Sequence, residues 1–175
     1  MINIYDNIIQ QATIEHMPGN DWRLIKAQLY IESGLKDHII KKTGERGIAK
    51  LNKQAWELAA EELGFPSIAT RETPRFAIPA LCFLMADSWQ YLEEFEENID
   101  RYCLALTIYK TGKIPVFHAK TRSGTRIYSE ILQHLPGLIG VEKANKVKNY
   151  VHNIITIWTS LVLGPRPADP CEINQ

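Results

Sequence analysis

No stretch of this chain alternates apolar and polar residues with period two; its apolar residues recur at spacings of three and four. That spacing puts the apolar side chains on one face of a helix and predicts an all-α fold. Gly and Pro punctuate the pattern. Helices are expected over 4–16, from a cap at Asn20 or Asp21 to Glu32, over 47–51, from a cap at Asn52 to Gly64, and over 75–95 with Pro79 near its front. Further helices are expected over 99–109, 128–134 and 140–163. Loops fill 34–46, 64–74 and a basic stretch at 113–126, and the Pro-containing end at 164–175 reads as an irregular tail. At 175 residues the chain suits one domain, 1–163, of about seven to nine helices. Loops of this length on a helical frame are where a site is expected.

Twenty basic and twenty acidic residues cancel, so bulk electrostatics offers nothing to a nucleic acid. Cys82, Cys103 and Cys171 are odd in number and widely spaced, which argues against a disulfide framework. Cys82 and Cys103 lie in apolar runs and read as core residues. His16, His38, His118, His134 and His152 have no metal-ligand spacing, and neither metal nor cofactor is expected. The first six residues show no basic segment followed by an apolar core, and the longest apolar stretch, 154–163, is too short to span a membrane. The expectation is a monomer made in a cytoplasm, which reaches any target outside by release or in a virion.

Glu32 closes the second helical run and is followed by Ser33-Gly34. It lies three residues after Leu29 and seven after Ile25, on their apolar face. A carboxylate on an inward stripe is costly unless paired or protonated. Burial and the negative end of the helix dipole both favour the protonated form, and a carboxyl group held neutral near pH 7 can act as a general acid. A structural Glu that caps the helix or pairs with a Lys is the plainer alternative.

Gly44 and Gly47 follow Glu32 by twelve and fifteen residues, and Ile48 and Leu51 come directly after. This Glu-Ser, Gly-x-x-Gly, Ile-x-x-Leu order resembles the catalytic segment of the soluble lytic transglycosylase family, the goose-type lysozyme-like domain (glycoside hydrolase family 23). The run from Ala105 through Tyr109 to Gly112 resembles that family's second signature, and Tyr128 within 125–132 fits the Tyr-bearing short helix that follows it. The resemblance covers residues 22–132 and implies an all-α lysozyme-like fold acting on peptidoglycan glycan strands. It implies that Glu32 is the single catalytic acid/base and that Ser33 shapes the adjoining loop. It also implies that Gly47 and the backbone of Ile48 and Ala49 line a sugar groove, and that Tyr109 orients Glu32. Independently, Tyr109 shares a helical face with Tyr102, Cys103 and Leu106, which points it inward.

Four positions depart from the family pattern. Lys50 stands where a substrate-contacting Gln is usual, Lys110 where Asn is usual, Lys41 near a usual Ser, and Asn52 at a usual Met. Lys50 and Lys110 are retained as substrate-binding candidates, because a basic groove suits a substrate whose peptide stems carry carboxylates.

Glycoside cleavage normally uses two carboxylates, and the matched motifs contain one. One suffices if the substrate supplies the nucleophile. In the family the Glu protonates the oxygen between N-acetylmuramic acid and N-acetylglucosamine, then deprotonates the C6 hydroxyl, which closes a 1,6-anhydro ring. The resulting expectation is a lytic transglycosylase, as a phage endolysin, a virion-associated wall-degrading protein or a secretion accessory. A hydrolytic lysozyme, with Asp37 or Glu45 placing a water, and a non-catalytic wall-binding or structural module remain as alternatives. Finally, Ala144, Val147, Val151, Ile154, Trp158 and Leu161 form an amphipathic stripe. It is read as packed on the domain, with contact to a membrane or partner as the alternative.

Overall fold

A computed structural model describes residues 4–95 and 99–164. Among them the helical spacing becomes nine helices: α1 (Asp6–His16), α2 (Trp22–Ser33), α3 (Lys53–Glu62), α4 (Pro74–Gln90), α5 (Ile99–Thr111), α6 (Lys113–Ser123), α7 (Tyr128–Leu132), α8 (Pro136–Ile139) and α9 (Val141–Leu163). Among the described residues the only strand-like pairings are isolated bridges in one loop. The expected tail beyond Gly164, and Cys171 with it, falls outside the described residues.

Two elements sit at the centre. In α4, Ala77, Ile78, Ala80, Leu81, Cys82 and Met85 are completely covered. In α5, every residue from Arg101 to Ile108 is buried, as expected of a helix enclosed on all sides. The α1, α3 and α5 helices pack on α4, while α9 packs on both α2 and α5. Ala144, Val147, Val151 and Ile154 of the α9 stripe are buried, and Trp158 and Leu161 pack against the core partly buried. No described helix is long and apolar enough to cross a membrane. Cys82 and Cys103 are unbridged, and burial pushes both thiols up to about 12, as suits inert core residues.

Asp21 locks the α2–α9 pair. Its side chain caps α2 by accepting from the Arg23 backbone N–H at 3.0 Å. The same carboxylate accepts from the Trp158 indole N–H of α9 at 3.0 Å. Burial alone would push the Asp21 carboxyl up; hydrogen bonds from Arg23 and Trp158 outweigh it and hold the group below the usual carboxylate range. At the other side of α2, Lys26 is only 3% exposed and forms an ion pair with Asp6 of α1 at 2.6 Å.

The fold departs from the sequence expectation most in two places, besides the short α8 that was not expected and the earlier end of α4 at Gln90. Residues 113–126 were expected as a loop, because Gly112, Pro115 and a dense run of basic and hydroxyl residues read as breakers. Lys113–Ser123 form α6 instead, with Pro115 in the first turn, where its missing N–H costs nothing, and with Val116 and Ala119 buried. Residues 47–51 were expected as a helix. They form a tight turn instead, with Gly47 at φ 75° and Lys50 at φ 45°, both outside the right-handed helical region. Arg46 and Leu51 exchange backbone hydrogen bonds at 3.1 and 3.2 Å across this turn.

The turn is clamped from behind. Arg71 donates to the carbonyls of Gly44 and Leu51, each at 3.1 Å. A Cβ added to Gly47 would lie 1.9 Å from the Arg71 carbonyl oxygen. Only glycine fits there, on grounds of both φ and space.

Two stability predictions follow from these contacts. Gly47→Ala should cost about 2–4 kcal/mol in urea unfolding, combining left-handed strain with overlap. Gly124→Ala, at φ 65° with open space around it, should cost only about 1–2 kcal/mol. Comparable losses would remove the steric argument. Asp21→Asn keeps a capping oxygen but removes the charge, and should cost on the order of 0.5–1 kcal/mol at pH 7. Because the folded Asp21 carboxyl is depressed, its contribution is present above the unfolded value and fades as pH falls through the folded one. The gap between wild type and variant should therefore close below about pH 4.

Candidate active site

Glu32 lies in the last turn of α2. Gly34, in the left-handed conformation at φ 66°, ends that helix with its N–H on the Tyr30 carbonyl at 2.7 Å. Leu35 is also left-handed, at φ 61°, and is buried, so the chain swings away sharply and leaves the Glu32 side chain facing the α5–α9 junction. Glu32 is 6% exposed.

Two donors meet at one oxygen. Lys110 Nζ, from the last turn of α5, donates to Glu32 Oε1 at 2.6 Å. The Tyr150 hydroxyl, from the middle of α9, donates to the same Oε1 at 2.7 Å. Among the described residues no group bonds Oε2.

Aromatic faces surround the ammonium. Lys110 Nζ lies 4.2 Å from the Tyr150 ring centroid and 5.2 Å from that of Tyr109. Burial, reinforced by the Glu32 charge, pushes the Tyr109 and Tyr150 hydroxyls well above their ordinary value, so both remain neutral. Gln28, one turn before Glu32, is completely covered and lies against the Tyr150 hydroxyl without good hydrogen-bond geometry.

Of the residues expected at the site, the structure brings together Glu32, Tyr109, Lys110 and Lys50. Tyr109 reaches the vicinity of Glu32, but the hydroxyl bonded to Glu32 belongs to Tyr150. Lys50 stands in the electrostatic reach of Glu32, Glu45, Lys41 and Lys110; desolvation, then Lys41, pulls its ammonium below the ordinary lysine value. Its left-handed φ is strain of the kind that clusters at functional sites.

Other expectations change. The backbone of Gly47, Ile48 and Ala49 was expected to line a groove, but all three residues are buried, and Lys50 is the partly exposed residue of the turn. Ser33 bonds back to the Leu29 carbonyl at 3.1 Å, which supports the end of α2. Asp37 accepts from the Tyr5 hydroxyl at 3.2 Å and is engaged there. Glu45 is bonded by Thr43 and lies in the field of Lys41 and Lys110; together these hold its carboxyl below the usual range.

Tyr150 is the residue that sequence reasoning missed. It falls between Val147 and Ile154 at spacings of three and four, on the edge of the apolar stripe of α9. An aromatic with a polar tip at such an edge was the available signal.

No protein-family model matches the sequence, and no curated protein matches it. Solved structures do match. The 70 kDa soluble lytic transglycosylase Slt70 of Escherichia coli superposes with a TM-score of 0.72 at 14% identity, over 95% of this chain and 25% of that one. An inactive Glu-to-Gln mutant of the lytic transglycosylase Slt from Pseudomonas aeruginosa superposes with a TM-score of 0.69 at 17% identity, over 97% of this chain and 26% of that one. The chain thus spans about a quarter of the length of each neighbour. Over that span it has the all-α, lysozyme-like fold of the soluble lytic transglycosylases.

Proposed function

We propose that this chain cleaves the β-1,4 bond between N-acetylmuramic acid and N-acetylglucosamine in peptidoglycan, as a lytic transglycosylase with Glu32 as its single acid/base. The observation that carries the reading is the placement of Glu32: a buried carboxylate at a helix end, next to a clamped loop, on a fold shared with two lytic transglycosylases. That one of these neighbours is an inactive Glu-to-Gln mutant adds support.

In the proposed reaction Glu32 gives a proton to the glycosidic oxygen and then, as a carboxylate, takes one from the C6 hydroxyl of the muramic sugar. The hydroxyl closes the 1,6-anhydro ring, so no second carboxylate and no water are needed. The Tyr150 hydroxyl holds Oε1 in one orientation, which leaves Oε2 as the oxygen for proton transfer. Lys50 and Lys110 supply positive charge along the bound strand.

A hydrolytic variant of the same chemistry has one supporting observation. Glu45 shares the electrostatic surroundings of Lys110 and Lys50 with Glu32. Asp37, tied to Tyr5, is less suited to placing a water.

Glu32→Gln tests the reading. It should lower the clearing of purified cell walls by about 10²–10⁴-fold, the scale of a positioned acid/base, with helical content unchanged. Retained clearing by a folded Glu32→Gln protein would show that another group does the chemistry.

A further inference from the structure

Two donors converge on Glu32 Oε1, and one of them, the Lys110 ammonium, lies over the carboxylate that the proposed reaction uses. Of the two donors, Lys110 is the movable one. Its side chain is 32% exposed against 7% for that of Glu32, so it approaches from the solvent side and partly covers the carboxylate. Tyr150 is fixed in the packed middle of α9, between buried Val147 and Val151. Two ring faces, 4.2 and 5.2 Å from Nζ, give the ammonium a cradle that does not depend on Glu32.

We propose that Lys110 is a latch that recognises a carboxylate on the substrate: the incoming carboxylate draws the ammonium off Glu32, and only strands bearing such a group open the site. The proposal rests on the peptidoglycan reading and deepens it, because it assigns the selecting group and its ligand chemistry. Glu32 and the ligand carboxylate compete for one cation. When Lys110 turns to the ligand, Glu32 loses its counter-ion while a second negative charge arrives nearby. Lys110 then no longer covers the carboxylate that the proposed reaction uses. The other charged groups facing this point are Lys50 and Lys41 on the loop and Glu45 beside them. They provide a positively biased approach and leave the release of Glu32 to Lys110. Tyr109 and Tyr150 are held neutral, and their rings face the ammonium where it stands.

The test is calorimetric binding of a disaccharide-peptide fragment with free stem carboxylates, compared with the same fragment fully amidated. Wild type should prefer the carboxylate form about tenfold. Lys110→Asn should bring that ratio close to one, and Lys110→Arg should keep it. Glu32→Gln should raise the ratio above wild type, because Lys110 no longer has to leave a partner. That gain should vanish in the Glu32→Gln/Lys110→Asn double variant. A preference that survives Lys110→Asn, or a Glu32→Gln gain that persists without Lys110, overturns the latch even if the protein cleaves cell walls. Failure of wild type to bind either fragment overturns both the latch and the peptidoglycan reading.

Discussion

The contact between Glu32 Oε1 and its two donors, Lys110 and Tyr150, is the point at which the architecture converges. The three residues come from α2, α5 and α9, and each helix is held independently of the site. The Asp21 cap and its Trp158 bond fix the start of α2 to α9. Burial on all sides fixes α5. A carboxylate this deeply covered is tolerable only because both donors reach it. Burial of Glu32 therefore depends on one donor from α5 and one from α9.

The loop between α2 and α3 makes the other half of the site. It carries Lys41, Glu45 and Lys50, and its shape comes from contacts that face away from them. Gly47 backs onto the Arg71 carbonyl, Arg71 reaches the carbonyls of Gly44 and Leu51, and Ile48 and Ala49 are absorbed into the core. The rigid side of the loop is apolar and backbone-bonded, and the accessible side is charged. Lys50 is held in a strained conformation by this arrangement, which pre-positions its ammonium near Glu32.

Much of this was legible in the sequence, for identifiable reasons. Helical spacing located the inward stripe of α2, and with it the inward Glu32. The helix expected over 47–51 failed because Gly47 and Lys50 adopt left-handed angles. The α6 helix was hidden by breakers that sit harmlessly in its first turn. Tyr150 was hidden because it lies 118 positions from Glu32, and only the α2–α9 packing brings the two together. Lys110 was visible as a departure from a family pattern, but its ion pair with Glu32 could be seen only in three dimensions.

The central claim is that Glu32 cleaves a glycan strand without water. Mass analysis of the soluble products from purified peptidoglycan digested by the wild-type chain tests it most directly. The account predicts fragments ending in 1,6-anhydro-N-acetylmuramic acid. Fragments ending in reducing sugars, each heavier by one water, would contradict the single-carboxylate mechanism and place a hydrolytic water beside Glu32; no fragments at all would contradict the enzymatic reading itself.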